Sequence, residues 1–148
     1  MKKIALITGA TSGIGRATAL RAAEIGYDLI ITGRRQELLN ELATEIRRQG
    51  REVLPLCFDI RKAEEVKKAI TDLEEKWQNI AVLVNNAGLA VGTSPIQEGI
   101  IDDWERMIDT NVKGLLYITR EIAPLMIRNN NGHIVNIASI AGKEVYPG

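Results

Sequence analysis

Cysteine and histidine each occur once in these 148 residues, as Cys57 and His133. A single thiol excludes an intrachain disulfide and removes any argument for an oxidising compartment. His133 has no second His, Cys or acidic residue at a metal-ligand spacing, so a structural or surface role is expected and no metal. Net charge is lacking as well, because 19 basic and 19 acidic side chains cancel. Without a net field, neither a nucleic acid nor an anionic membrane is an expected partner. No stretch reaches the ~20 apolar residues of a membrane span. The opening MKKIALITGA breaks at Thr8-Gly9, too early for a secretory leader. Repeats, low-complexity tracts and linkers are also missing. What remains is one domain over 1–148, long enough to bury a core and expected in the cytoplasm.

Apolar runs rich in β-branched residues alternate with longer runs of helical period. The pattern predicts strands over 2–8, 28–33, 51–60, 80–88 and 132–139, and helices over 13–26, 34–50, 63–77 and 102–130. Pro55 places the third strand at a sheet edge, where a missing N–H costs little. Pro124 should kink the long last helix. Cys57, in an apolar strand, is expected to be a small buried hydrophobe. Trp77 and Trp104 read as packing residues at helix ends. The first helix is expected to bury Ile14, Ala17, Leu20 and Ile25, and the second Leu38, Leu42, Ala43 and Ile46. Strand and helix in strict alternation give an α/β class with a parallel sheet covered on both faces. Residues 89–100 form the one long irregular segment, a candidate active-site rim.

Between the first strand and the first helix stands TGATSGIG, with Gly9, Gly13 and Gly15. Glycines there let the backbone turn sharply and approach a phosphate, while the helix start offers unpaired N–H groups to an anion. The second strand ends ITGRRQ. In dinucleotide folds an acidic residue at that place bonds the adenosine ribose; here it is Gly33, followed by Arg34 and Arg35. A carboxylate would repel a 2′-phosphate, whereas guanidinium groups pair with one, so NADP(H) is expected over NAD(H). Two arginines opening a helix are also mildly unfavourable by the dipole rule, which argues for a ligand role.

With TGATSGIG at 8–15, Asp59-Ile60, NNAG at 85–88, Asn111 in MIDTNVKG and IVNIAS ending at Ser139, the whole chain resembles the short-chain dehydrogenase/reductase family. The stretches TGRRQELLNEL, VNNAGLAVG and WERMIDTNVKGL resemble its NADP-dependent 3-hydroxy acid dehydrogenases, which act on serine and allo-threonine. The resemblance implies a Rossmann-type doubly wound sheet with five strands present in the order 3-2-1-4-5. It implies a hydride exchanged between NADP and a secondary alcohol or ketone, and a homo-oligomer, specifically a tetramer. Residue by residue, it implies that Gly9, Ala10, Thr11, Ser12, Gly13, Ile14 and Gly15 hold the pyrophosphate and adjoining ribose, and Arg34 and Arg35 the 2′-phosphate. Asp59 and Ile60 would lie along the adenine, and Asn86, Ala87 and Gly88 beside the ribose. Asn111 would support a water near the catalytic lysine, and Ser139 would donate to the substrate oxygen.

The family's proton-transfer motif is Tyr-x-x-x-Lys, and no tyrosine here has a lysine four positions on. Tyr146-Pro147-Gly148 matches instead the loop that precedes the family's tyrosine. The expectation is therefore an N-terminal cofactor-binding part, inactive alone, that stops short of the catalytic tyrosine. The fifth strand would then present an open edge, and the last helix would expose part of Leu115, Leu116, Ile118 and Ile122. A non-catalytic NADP-binding module is the rival, which the glycine turn and arginines serve equally well. Asn111 and Ser139 favour the enzyme, because binding alone does not require them.

Overall fold

The computed structural model describes residues 3–144. Five parallel strands form one sheet in the order β3-β2-β1-β4-β5: β1 Ile4–Ile7, β2 Asp28–Gly33, β3 Val53–Cys57, β4 Ile80–Asn85 and β5 His133–Asn136. The connecting helices are α1 Gly13–Glu24, α2 Gln36–Arg48, α3 Ala63–Thr71, α4 Ile101–Ile108 and α5 Leu115–Arg128. The inner strands are continuous apolar runs because both their faces are covered. On one face Ala5, Ile7, Leu29 and Ile31 pack under α1 and α2; on the other Leu6, Ile30 and Leu83 pack under α3 and α5. Each fully buried Ile or Leu contributes about 1.5–3 kcal/mol.

Pro55 does sit on an edge strand. That same edge leaves Cys57 exposed, so the expectation of a buried thiol is corrected: an outer strand has solvent where an inner one has a neighbour. In α1 the buried face is Gly15, Ala19 and Ala23, four residues apart, while Ile14, Ala17 and Ile25 are exposed. Small side chains let this helix lie close to the sheet. In α2 the stripe is Leu39, Leu42, Ala43 and Ile46, with Leu39 in place of the expected Leu38. Trp77 is buried, and Trp104 lies over Gly99 with about a third of its surface exposed (36%).

The expected helix over 102–130 is three pieces, and Pro124 does not divide them. The turns between α4 and α5, Asp109–Gly114, are π-helical, whereas α5 runs through Pro124 unbroken. Pro124 and Arg120, whose carbonyl the proline leaves without its helical partner, are both exposed, so solvent can meet that group. Ile118 and Ile122 are fully buried against α3 and the sheet, so the expectation that they lie open is corrected. Leu116 is 58% exposed, and Ile127, Ile134 and Ile137 are also exposed, the last two on or beside the edge strand β5. Tyr117 packs on the core; Tyr146 lies outside the described residues. Among the described residues no helix is long and apolar enough to cross a membrane, and no group of three or more His, Cys, Asp or Glu could hold a metal ion.

Candidate functional site

The strand order reverses between β1 and β4, and ligands of open α/β sheets gather at the carboxyl ends of strands beside such a point. A cleft of about 1050 Å³ opens there. Gly9, Thr11, Ser12, Gly13, Ile14, Arg34, Arg35, Asp59, Ile60, Asn86, Ala87, Gly88, Asn111 and Ser139 all line it. Two other residues expected at the site lie behind this lining: Gly15 is buried, and Ala10 is fully buried with its N–H donating to the Thr32 carbonyl at 3.0 Å.

The floor is a hydrogen-bond junction around Thr8, a residue for which no role was foreseen. Its hydroxyl accepts from the backbone N–H groups of Asn86 and Ala87, both at 3.0 Å, and donates to the Val84 carbonyl at 3.3 Å. Asn86 answers from the other side, its Nδ2 donating to the carbonyls of Thr8 at 2.9 Å and Gly9 at 3.2 Å. These bonds lock the glycine turn to the end of β4. Gly15 is what allows it, since a Cβ there would stand 2.3 Å from Asn86 Nδ2 and 2.5 Å from the Gly9 carbonyl oxygen. The sequence signal was a polar residue closing an apolar strand one position before a glycine.

Above the floor, α1 presents its N-terminus to the cleft. Its first turn carries no acidic residue, unlike those of α2, α3 and α4. The Ser12 side chain does not cap the helix; with Thr11 it accepts from Arg35 Nη2, at 3.0 and 2.7 Å. The Arg35 guanidinium is thereby folded over the glycine turn. A side chain at position 33 would crowd the turn, because a Cβ on Gly33 would lie 2.6 Å from Thr11 Cγ2, which would have to shift. Unpaired helix N–H groups, a fixed guanidinium and a second exposed arginine, Arg34, suit a ligand with two separated anionic groups. The residues therefore fit a dinucleotide with a 2′-phosphate.

Along the cleft wall Asp59 is part-buried and gripped by Arg61. Arg61 Nε lies 3.0 Å from both carboxylate oxygens and Nη2 lies 2.6 Å from Oδ2, while the Arg61 N–H donates to Oδ1 at 3.1 Å. The bonded guanidinium holds the Asp59 carboxyl below the usual carboxylate range against the opposing pull of burial, and the same contact raises Arg61. Ile60 is buried under Gly114.

Asn111 sits in the π-helical turns, and its side chain pairs with one backbone unit: Oδ1 accepts from Leu89 N–H at 2.9 Å and Nδ2 donates to Leu89 O at 2.8 Å. An α-helix reads as continuous in sequence, whereas the widened turns carry this long-range tie, and such turns recur at functional sites. Ser139 is exposed at the end of the segment after β5. Its Oγ accepts from Ala141 N–H at 3.2 Å, which leaves its own O–H to donate. Asn85 and Thr110 line the cleft, and their Oδ1 and Oγ1 are buried without a hydrogen-bond partner, a cost of about 1–3 kcal/mol each.

Comparison with known proteins accords with this geometry. The chain is 46% identical over 145 residues to the NADP-dependent 3-hydroxy acid dehydrogenase YdfG of Salmonella typhi, covering 98% of this chain and 57% of that protein. It is 47% identical over 149 residues to sulfoacetaldehyde reductase 2 of Chromohalobacter salexigens, covering 100% of this chain and 59% of that one. The closed form of serine dehydrogenase complexed with NADP+ superposes with a TM-score of 0.90 at 45% identity, over 98% of this chain and 57% of the other. The chain thus spans a little over half the length of these relatives. The family described as short chain dehydrogenase matches residues 3–148, and the chain belongs to it.

Proposed function

We propose that the protein containing this chain transfers a hydride between NADP(H) and an alcohol or its carbonyl product, and that its substrate is a 3-hydroxy acid, with a primary hydroxyl as in serine or a secondary one as in allo-threonine. The observation that carries the cofactor choice is Arg35 folded over the glycine turn onto Thr11 and Ser12, with any side chain at position 33 crowded by Thr11. Serine dehydrogenase, at 45% identity, is a complex with NADP+. The substrate class follows the YdfG relatives. Sulfoacetaldehyde, the substrate named for the second relative, has the same layout of an oxygen-bearing carbon one carbon away from an acidic group. An anion at that distance is the shared chemistry.

The nicotinamide supplies the hydride chemistry, and the protein orients it and moves the proton. Gly9, Thr11, Ser12, Gly13 and Ile14 hold the pyrophosphate and ribose, backed by the buried Ala10 and Gly15, while Arg34 and Arg35 hold the 2′-phosphate and Asp59 and Ile60 the adenine. Asn86, Ala87 and Gly88 border the cofactor ribose, tied to the glycine turn through Thr8. Ser139 donates its free O–H to the substrate oxygen as charge develops on it. The Asn111 side chain is committed to Leu89, so its support of a water falls to the backbone carbonyl of the π-helical turn. Proton transfer belongs to the family's Tyr-x-x-x-Lys, a spacing not found within residues 1–148.

The test is the full-length gene product assayed for NADPH formation with serine, allo-threonine and 3-hydroxybutyrate, beside 2-hydroxy acids and isethionate. Turnover of 3-hydroxy acids with NADP, abolished in Ser139→Ala, is the expected result. NADP bound without turnover of any of these alcohols would replace this reading with a non-catalytic binding module.

A further inference from the structure

Nine asparagines occur in the sequence, and only Asn131 precedes a glycine. It closes the run Asn129-Asn130-Asn131 in the turn from α5 to β5, where each of its two neighbours has a task. Asn129 Nδ2 donates to the Gln78 carbonyl at 3.1 Å, and Asn130, at a φ of 46°, makes the left-handed turn that ends α5. The Asn131 backbone N–H donates to Met126 O at 3.1 Å, but its exposed side chain makes no hydrogen bond among the described residues. Gly132 resists replacement, because a Cβ there would stand 2.6 Å from Met126 Cβ, and Met126 is buried in the core. The Gly132 N–H is likewise without an acceptor among the described residues. Both residues border an open hollow of about 460 Å³ between α5 and β5, so water reaches them.

We propose that Asn131 is a site of spontaneous covalent modification, converted by its own backbone to isoaspartate and aspartate, and that the change loosens β5. The Gly132 nitrogen gives up its proton to base and attacks the carbonyl carbon of the Asn131 side chain. The new C–N bond closes a five-membered imide, and the side-chain nitrogen takes up a proton and leaves as ammonia. One water then opens the imide at either carbonyl, leaving a carboxylate and, in isoaspartate, a backbone that runs through the former side chain. The site favours the attack: Gly132 has no Cβ to block the approach to its nitrogen, its N–H is tied to nothing, and no bond holds the Asn131 amide away. The product sets a negative charge beside the C-terminal carbonyls of α5, where the helix dipole disfavours it. Isoaspartate also adds one backbone carbon just before β5, whose pairing with β4 begins at His133 and Val82.

The experiment incubates the full-length protein at mildly alkaline pH, reads peptide masses, and labels isoaspartate with an isoaspartyl methyltransferase. Exchange of the amide for a carboxylate raises the peptide mass by one unit. Asn131 should lose more amide than the other eight asparagines together, with the methyl label in the same peptide. The urea midpoint of the incubated protein should fall. Asn131→Gln, whose longer side chain closes a ring reluctantly, should keep both its mass and its midpoint. Circular dichroism checks that this variant folds, and the masses from wild type test the site without it. An amide retained at Asn131, or lost first at another asparagine, overturns the proposal. Modification at Asn131 with an unchanged midpoint, or an equal fall in Asn131→Gln, overturns the loosening of β5.

Discussion

Thr8→Val removes one oxygen and almost no volume, which makes it the cleanest probe of how the glycine turn is held to β4. Thr8 is 1% exposed and its hydroxyl receives two backbone N–H bonds at 3.0 Å, from Asn86 and Ala87. A methyl in its place leaves both donors facing carbon. Each buried donor without a partner costs about 1–3 kcal/mol. Asn86 and Ala87 are half-buried, so water can satisfy part of the loss, and the pair should cost about 2–4 kcal/mol. The donation to Val84 O, at 3.3 Å, adds little. With a urea m-value of about 2 kcal/mol/M, the middle of the usual range, the unfolding midpoint should fall by about 1–2 M. Thr8→Ser keeps the oxygen and loses a methyl, so it should cost only about 1 kcal/mol. The assay is urea unfolding of wild type and both variants, followed by circular dichroism. A Thr8→Val midpoint equal to wild type would refute the reasoning. So would Thr8→Ser losing as much as Thr8→Val, since packing and not the oxygen would then decide.

Gly33→Asp forces a Cβ to 2.6 Å from Thr11 Cγ2 and adds a carboxylate where the 2′-phosphate should lie; NADPH binding should weaken by about tenfold or more while NADH changes less, measured by fluorescence titration. The Asp59 pKa is lowered in the folded protein, so its pairing with Arg61 stabilises fully above the unfolded value of about 4 and is lost as pH falls through the lower folded value. Arg61→Met should remove that component, giving a shallower fall in urea midpoint as pH drops below about 4 than wild type shows. A polypeptide of residues 1–148 alone, with Leu116, Ile127, Ile134 and Ile137 exposed and β5 an open edge, should self-associate; a monomeric sedimentation profile with a cooperative melt would contradict this.

The order of elements was legible because each inner strand is an apolar run and each helix an amphipathic one, and those periods survive any detail of packing. Pro55 even gave the edge of the sheet. What the sequence misled on came from geometry at a distance. α1 buries Gly15, Ala19 and Ala23 because it lies close to the sheet, so its bulky Ile14 and Ile25 face outward, the reverse of a hydrophobic-stripe reading. Cys57 belongs to an apolar run but ends an outer strand. The π-helical turns carry a bond between Asn111 and Leu89, 22 residues apart, which no local period encodes. Likewise all but Ala10 and Gly15 of the residues named from motifs line one cleft, whereas Thr8, which opens TGATSGIG, has a role that only the distant β4 end reveals, and Arg61, which grips Asp59, carries no motif of its own.

The central claim is that this cleft is built for a dinucleotide bearing a 2′-phosphate. Its most direct test is the ratio of NADPH to NADH affinity in the full-length protein, before and after Arg35→Ala. Charge-assisted bonds from Arg34 and Arg35 at about 1.5–3 kcal/mol each predict NADPH bound at least tenfold more tightly, with Arg35→Ala removing most of that margin and sparing NADH. Equal affinities in wild type, or tighter NADH, would contradict the account.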